Sequence, residues 1–187
     1  MQSDGTTAMA RTNVARVFLI SLYALTMLTG IMTALAEAAF FPGIATLPVA
    51  MVAFFENELR GRWRLSRLWF RILVAGAFAV AGFEYLPGTL ELRVLAVQHL
   101  FVYLTWIVLF VHRPPRHYWW LCGLGLLQVA FGAILTGSGW FGVLLVAYLL
   151  GGMWTLALFT LYQGELRALT SESTVKSNRS GVRNSIQ

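Results

Sequence analysis

Apolar runs of membrane-spanning length, separated by short charged or glycine- and proline-containing segments, recur along this chain. A helix rises about 1.5 Å per residue and a bilayer core is about 30 Å thick, so a crossing needs about 20 apolar residues. Six runs approach that length, at residues 17–36, 40–55, 68–86, 94–111, 118–136 and 140–161. They predict an all-α polytopic membrane protein with about six transmembrane helices.

The second run differs from the others because it is short and contains Pro42 and Pro48. A proline inside a helix removes a hydrogen bond and kinks the helix. The sequence therefore predicts either a short, kinked span or a re-entrant segment packed against protein, and leaves open whether the run fully crosses.

The composition supports a membrane rather than a soluble protein. Charged residues make up 12% of the chain and hydrophobic residues 58%, whereas a soluble domain has about 25% charged residues. The 14 Lys and Arg exceed the 8 Asp and Glu, but the arginines lie between apolar runs, where they act as topology signals. Lipid, and not nucleic acid, is the predicted partner.

The basic residues also predict the orientation. If all six runs cross, every Lys and Arg except Arg93 falls on the side of the two chain ends, counting Arg71 as reaching out of the third helix. Basic residues concentrate on the cytoplasmic side of membrane proteins. We therefore expect both ends to be cytoplasmic.

Three regions follow from this pattern. Residues 1–16 are a polar N-terminal segment, residues 17–165 the membrane domain, and residues 166–187 a polar tail with too few apolar residues to bury. The run 17–36 is longer than the core of a signal peptide, so it is predicted to be retained as the first helix. The tail is predicted to be a flexible linker or the end of a truncated reading frame.

Polar groups inside apolar runs are candidates for function because they are costly in a bilayer. Glu84 and Glu91, with Arg93 nearby, could form an acidic mouth on the outer side. The preferred interpretation is that both acids lie at the interface, where Glu91 favours the dipole of the fourth helix and pairs with Arg93.

Three further polar residues, Gln98, His99 and Gln128, lie within the fourth and fifth runs. They could line a path for protons or a solute, or they could bond across helices and fix the packing. Packing is preferred, because no carboxylate within the membrane lies at helical spacing from His99.

The remaining candidates give weak signals. Cys122 is the only cysteine, and we expect it to pack against a neighbouring helix rather than to act as a nucleophile. His112 and His117 bracket an Arg-Pro-Pro-Arg loop without a third ligand, which favours a polar loop over a metal site. No catalytic residue, metal ligand or cofactor site is predicted.

Glycines concentrate in the last two runs and predict close helix contacts, including homo-oligomerisation through these faces. They are Gly123, Gly125, Gly132, Gly137, Gly139, Gly142, Gly151 and Gly152. Residues 136–139 are predicted to form the tight turn of a helical hairpin.

The stretch from residue 90 to 165 carries a more specific pattern. It contains Leu135-Thr136-Gly137-Ser138, then Trp140-Phe141-Gly142, and an aliphatic run that ends in Tyr162-Gln163-Gly164-Glu165. In this pattern the chain resembles the N-terminal membrane domain of bacterial TgpA-type transglutaminase-like proteins.

The resemblance implies a non-catalytic module of the bacterial inner membrane that anchors or positions a transglutaminase-like domain. In that family the membrane domain precedes a further span and an extracytoplasmic domain with a Cys-His-Asp triad, none of which can be placed on this chain. A transglutaminase-like domain or another membrane protein is the expected partner.

Two alternatives stay open. One is a small transporter or channel in which Glu84, Glu91, Gln98 and His99 line the path. The other is an intramembrane enzyme that uses His99, Glu84 or Cys122, which requires two of them within hydrogen-bond reach.

Overall fold

The computed structural model describes the backbone of residues 3–37, 41–56, 66–86, 89–111 and 117–184, and the side chains within 16–164 except those of residues 38–40, 57–65, 67, 87–88 and 112–118. Within this described part the chain forms six helices and no strand. They are α1 Ser3–Glu37, α2 Thr46–Phe54, α3 Arg67–Tyr85, α4 Leu90–Leu109, α5 His117–Leu135 and α6 Gly139–Asn184. The predicted all-α class is confirmed.

Four helical segments are long and apolar enough to cross a membrane: Arg16–Glu37, Leu68–Tyr85, Leu90–Leu109 and Gly139–Gly164. The apolar part of α5, Trp119–Leu135, is shorter. Large apolar side chains on these helices point outward, and those of Phe83 and Trp140 are more than three-quarters exposed. A soluble protein rarely exposes so much apolar surface, so this is a membrane protein.

The chain divides into two compact units, each described here by itself. The smaller comprises residues 1–20 and 153–187. In it, the ring of Phe18 packs against Phe159 and Tyr162, with centroid separations of 5.5 and 5.6 Å. The larger unit comprises residues 21–152. It contains the polar candidates and the glycine series that the sequence singled out.

The second apolar run does not contain a long, proline-kinked helix, and whether it crosses the membrane stays a prediction. Pro42 lies in a turn at residues 41–45, and Pro48 lies in the first turn of α2. Proline is tolerated there, because the first N–H groups of a helix have no acceptor within the helix. The nine residues of α2 rise only about 14 Å, less than half of a bilayer core.

Helices α1 and α2 run antiparallel in close contact. Gly43, in the turn before α2, lies against the backbone of Ala34, and a Cβ atom at Gly43 would be 2.6 Å from the Ala34 nitrogen. Further along, the ring of Phe54 meets Tyr23 edge to face at 5.1 Å. The missing side chain of Gly43 therefore lets the chain turn back directly against α1.

Helix α4 packs against α2, α3 and α5. A separate core joins α1, α5 and α6, and consists of Leu25, Met32, Val129, Phe141 and Tyr148. Helix α5 ends at Leu135 and α6 begins at Gly139, so the hairpin turn predicted at residues 136–139 is confirmed.

Helix α6 continues to Asn184, through the polar segment for which composition predicts a flexible tail. Its role as a linker stays a prediction.

We expect Gly43→Ala to lower the free energy of unfolding by about 2 kcal/mol, because its Cβ must displace the α1 backbone. Gly142→Ala is the matched control, since no atom lies within 4 Å of an added Cβ there. Unfolding in mixed micelles, followed by tryptophan fluorescence, measures both variants. Equal stability of the two would contradict the close approach of α1 and the turn.

Candidate functional site

Three ionisable side chains from three different helices meet in the larger unit. Glu37 is the last residue of α1, Glu84 lies in the last turn of α3, and His99 lies in the first half of α4. His99 Nδ1 is 2.8 Å from Glu84 Oε2, and His99 Nε2 is 3.4 Å from Glu37 Oε2. These residues are referred to below as the Glu-His-Glu cluster.

The three side chains differ in burial. Relative exposure is 1% for Glu37, 15% for His99 and 35% for Glu84. A buried carboxylate is costly unless it has a partner, and His99 is the shared partner of both acids. The imidazole therefore holds the ends of α1 and α3 against α4.

The geometry fixes how many protons the cluster contains when both contacts are hydrogen bonds. A neutral imidazole has one N–H, whereas two contacts to carboxylate oxygens need two hydrogens. Either the imidazole is charged, or it is neutral and one carboxyl is protonated. Both arrangements are consistent with the two contacts, and they differ only in the position of one proton.

The arrangement is unsuited to a shared metal ion. The two carboxylates contact opposite nitrogens of the ring, so a single ion cannot reach all three side chains. No group of three metal-ligating side chains that could hold an ion occurs in the described part of the chain.

Buried polar atoms next to the cluster retain hydrogen-bonding capacity. Among the described residues, Glu37 Oε1 and both amide atoms of Gln98 have no hydrogen-bond partner. Thr33, one turn before Glu37 in α1, has an unpartnered hydroxyl as well. Such groups are rare in protein interiors and call for an explanation.

Sequence reasoning singled out Glu84 and His99 but brought them together only in its two alternatives, the transporter and the intramembrane enzyme. The packing interpretation of His99 depended on the absence of a carboxylate at helical spacing. That criterion considers only residues of the same helix, so it cannot detect an acid that another helix contributes. Glu37 was missed altogether, because it follows an apolar run and looks like a boundary residue. Its only signal was that it is the first acid after a membrane-length run.

Gln128 bonds across helices, as predicted. Its Nε2 donates to Thr105 Oγ1 at 2.6 Å and to the carbonyl of Phe101 at 2.9 Å. Together with Cys122 and Tyr148 it lines a cavity of about 10 Å³, about the size of one water molecule. Cys122 therefore belongs to this interior and not to the Glu-His-Glu cluster.

The other candidates are members of neither the cluster nor the group that lines this cavity. Glu91 occupies the first turn of α4, where its charge favours the helix dipole. The guanidinium of Arg93 lies over the ring of Tyr85, 5.2 Å from its centroid. His112 lies outside the described residues, and His117 begins α5.

The predicted glycine contacts occur at some positions only. Gly125 lies against Tyr148, Gly132 against Phe141 and Gly151 against Leu25. At the other glycines of the series a Cβ atom would have no neighbour within 4 Å. Homo-oligomerisation through these open positions stays a prediction.

An apolar groove of about 730 Å³ lies beside the cluster, between α2, α3 and α4. One wall is a single face of α3, formed by Ile72, Leu73, Gly76, Ala77 and Val80. The opposite wall comes from α4 and is largely aromatic, with Tyr103, Trp106 and Phe110.

The cluster lies at one end of this groove. Glu84 follows Val80 by one helical turn in α3, and His99 precedes Tyr103 by one turn in α4. The rings of His99 and Tyr103 are 6.2 Å apart. The site thus combines an apolar groove with a charged end.

Comparison with known proteins adds no constraint on this site. No family model matches the chain, and no curated protein or solved structure matches it. The resemblance to TgpA-type membrane domains therefore stays a prediction.

We expect His99→Phe to lower the free energy of unfolding by about 3 kcal/mol, because it leaves the buried carboxylate of Glu37 without a donor. Adding Glu37→Gln should recover more than about 1 kcal/mol by removing that charge. Unfolding in mixed micelles at fixed pH measures both. Additive losses in the double variant would show that His99 and Glu37 are not coupled.

Proposed function

We propose that this chain is a non-catalytic membrane module that anchors or positions a transglutaminase-like domain in the bacterial inner membrane. The observation that carries the proposal is the Glu-His-Glu cluster, which ties the ends of α1 and α3 to α4. A junction of three helices at one face of the membrane provides a fixed platform. In the resembled family, the catalytic domain lies on the extracytoplasmic side.

The direction of the helices supports an even number of crossings. Helices α1 and α3 both end at the cluster, so both run toward the same face of the membrane. We infer that the chain returns to the opposite face between Glu37 and Ser66, the interval that includes α2. On this inference the arginine-rich segment before α3 is cytoplasmic and the cluster is on the outer side, as the positive-inside rule expects.

Cysteine labelling tests this topology. In a Cys122→Ala background, Ser138→Cys should react with a membrane-impermeant maleimide in intact cells, whereas Ser66→Cys should react only after permeabilisation. Ser138 lies in the turn between α5 and α6, and Ser66 directly precedes α3. The reverse pattern would place the cluster on the cytoplasmic side and remove the argument for an extracytoplasmic platform.

Crosslinking in native membranes tests the partner. A tagged chain, expressed at its native level, should be recovered with a protein that mass spectrometry identifies as carrying a Cys-His-Asp transglutaminase-like domain. His99→Phe should reduce that recovery, and Gly142→Ala should not, because it leaves the cluster intact. The proposal fails if no such domain is crosslinked under conditions that preserve the fold.

The cluster also favours a second candidate, the small transporter or channel, because Glu84 and His99, two of its predicted lining residues, lie within hydrogen-bond distance. Gln98, which was also predicted to line the transport path, is fully buried. Vesicles containing the purified protein and a pH-sensitive dye separate the two functions. A platform should leak protons no faster than protein-free vesicles, whereas a transporter should give a flux that His99→Phe abolishes.

A further inference from the structure

The apolar groove and the Glu-His-Glu cluster form one continuous amphipathic site. We propose that the groove binds a hydrocarbon chain of a membrane phospholipid whose head group carries a primary ammonium, with the ammonium at Glu84. This site goes beyond the anchoring function and does not depend on it.

The length of the groove matches one leaflet of a bilayer. From Glu84 at its charged end to Ile72 at its far end, α3 rises by twelve residues, or about 18 Å. Half of a bilayer core is about 15 Å. A lipid chain whose head group is bound at Glu84 fills such a length. A transmembrane helix of a partner protein would instead need a groove that spans the full thickness of the bilayer core.

The lining is typical of a ligand site and not of a helix interface. Interfaces between transmembrane helices are rich in small residues, but in this groove only Gly76 and Ala77 are small. The aromatic wall is also fixed in place, because Trp106 Nε1 donates to Thr46 Oγ1 at 2.9 Å. A preformed, concave and mostly apolar lining with a few polar groups is the usual form of a small-molecule site.

The charges at the end of the groove complement an aminophospholipid head. Glu84 is about one-third exposed, so its carboxylate can accept hydrogen bonds from an ammonium. Arg93 is exposed and lies over Tyr85, the residue next to Glu84, where its guanidinium can meet a phosphate. The quaternary ammonium of phosphatidylcholine has no N–H to donate.

Native mass spectrometry tests this site with defined lipids. The full chain is purified in mild detergent, mixed with equal amounts of phosphatidylethanolamine, phosphatidylcholine and phosphatidylglycerol of identical acyl chains, and analysed for bound lipid. Phosphatidylethanolamine should be retained roughly tenfold over the other two, the scale of one charge-assisted hydrogen bond. Equal retention of all three lipids would overturn the proposal.

Two glycines of α3 provide a matched pair of variants. Gly76 lines the groove and Gly82 does not, and at both an added Cβ would have no atom within 4 Å. Gly76→Phe should fill the groove and reduce bound phosphatidylethanolamine roughly tenfold, while Gly82→Phe should leave it unchanged. If Gly76→Phe does not fold, Gly76→Val makes the same test with a smaller side chain.

A head-group variant separates the charged end from the apolar groove. Glu84→Gln should still bind a lipid chain but should lose the preference for phosphatidylethanolamine over phosphatidylcholine. If Gly76→Phe leaves bound lipid unchanged and instead disrupts association with a second protein or a second copy, the groove takes a helix and the lipid assignment is wrong.

Discussion

Inside a bilayer no water is at hand to solvate a charged side chain, so a carboxylate that enters the membrane domain must find its partner in the protein. Glu37 is the clearest case in this chain, because its side chain is almost completely buried. Its contact with His99, and the contact of His99 with Glu84, decide where three helices meet. The orientation of α1 and α3 toward one face, and the charged end of the groove, both depend on this cluster.

Buried polar residues outside the cluster find partners in two ways. Thr26 and Thr29 donate to carbonyls four residues earlier in their own helix, so their hydroxyl hydrogens have a partner within α1. Gln128 has too many hydrogen-bonding atoms for this solution and bonds to Phe101 and Thr105 in α4. These two threonines therefore find an acceptor within their own helix, whereas Gln128 and the Glu-His-Glu cluster join different helices.

The groove is a consequence of how the elements around α4 are built. The prolines of the second apolar run leave α2 with only nine helical residues. Helix α3 packs against α4, and only 11% of its span is buried. The gap beside α4 is thus lined by apolar side chains, and it ends next to the Glu-His-Glu cluster. An apolar gap alone would accept any lipid chain, and it is the charged end that gives the site a basis for choosing a head group.

The sequence by itself determined the helical class, the approximate bounds of α3, α4 and α5, and the hairpin turn before α6. The reason is that backbone groups in lipid must bond within their own segment, so an apolar run of membrane length forms a helix. The sequence also predicted that Gln128 bonds across helices, since an amide in an apolar run has few other choices. Only the tertiary structure decided that Glu37 and Glu84 share His99, and that a groove ends at that cluster. The spacing of residues along a chain shows which of them share a face of one helix. The Glu-His-Glu cluster and the groove depend instead on which helices are neighbours, and on the depth in the membrane at which their side chains meet.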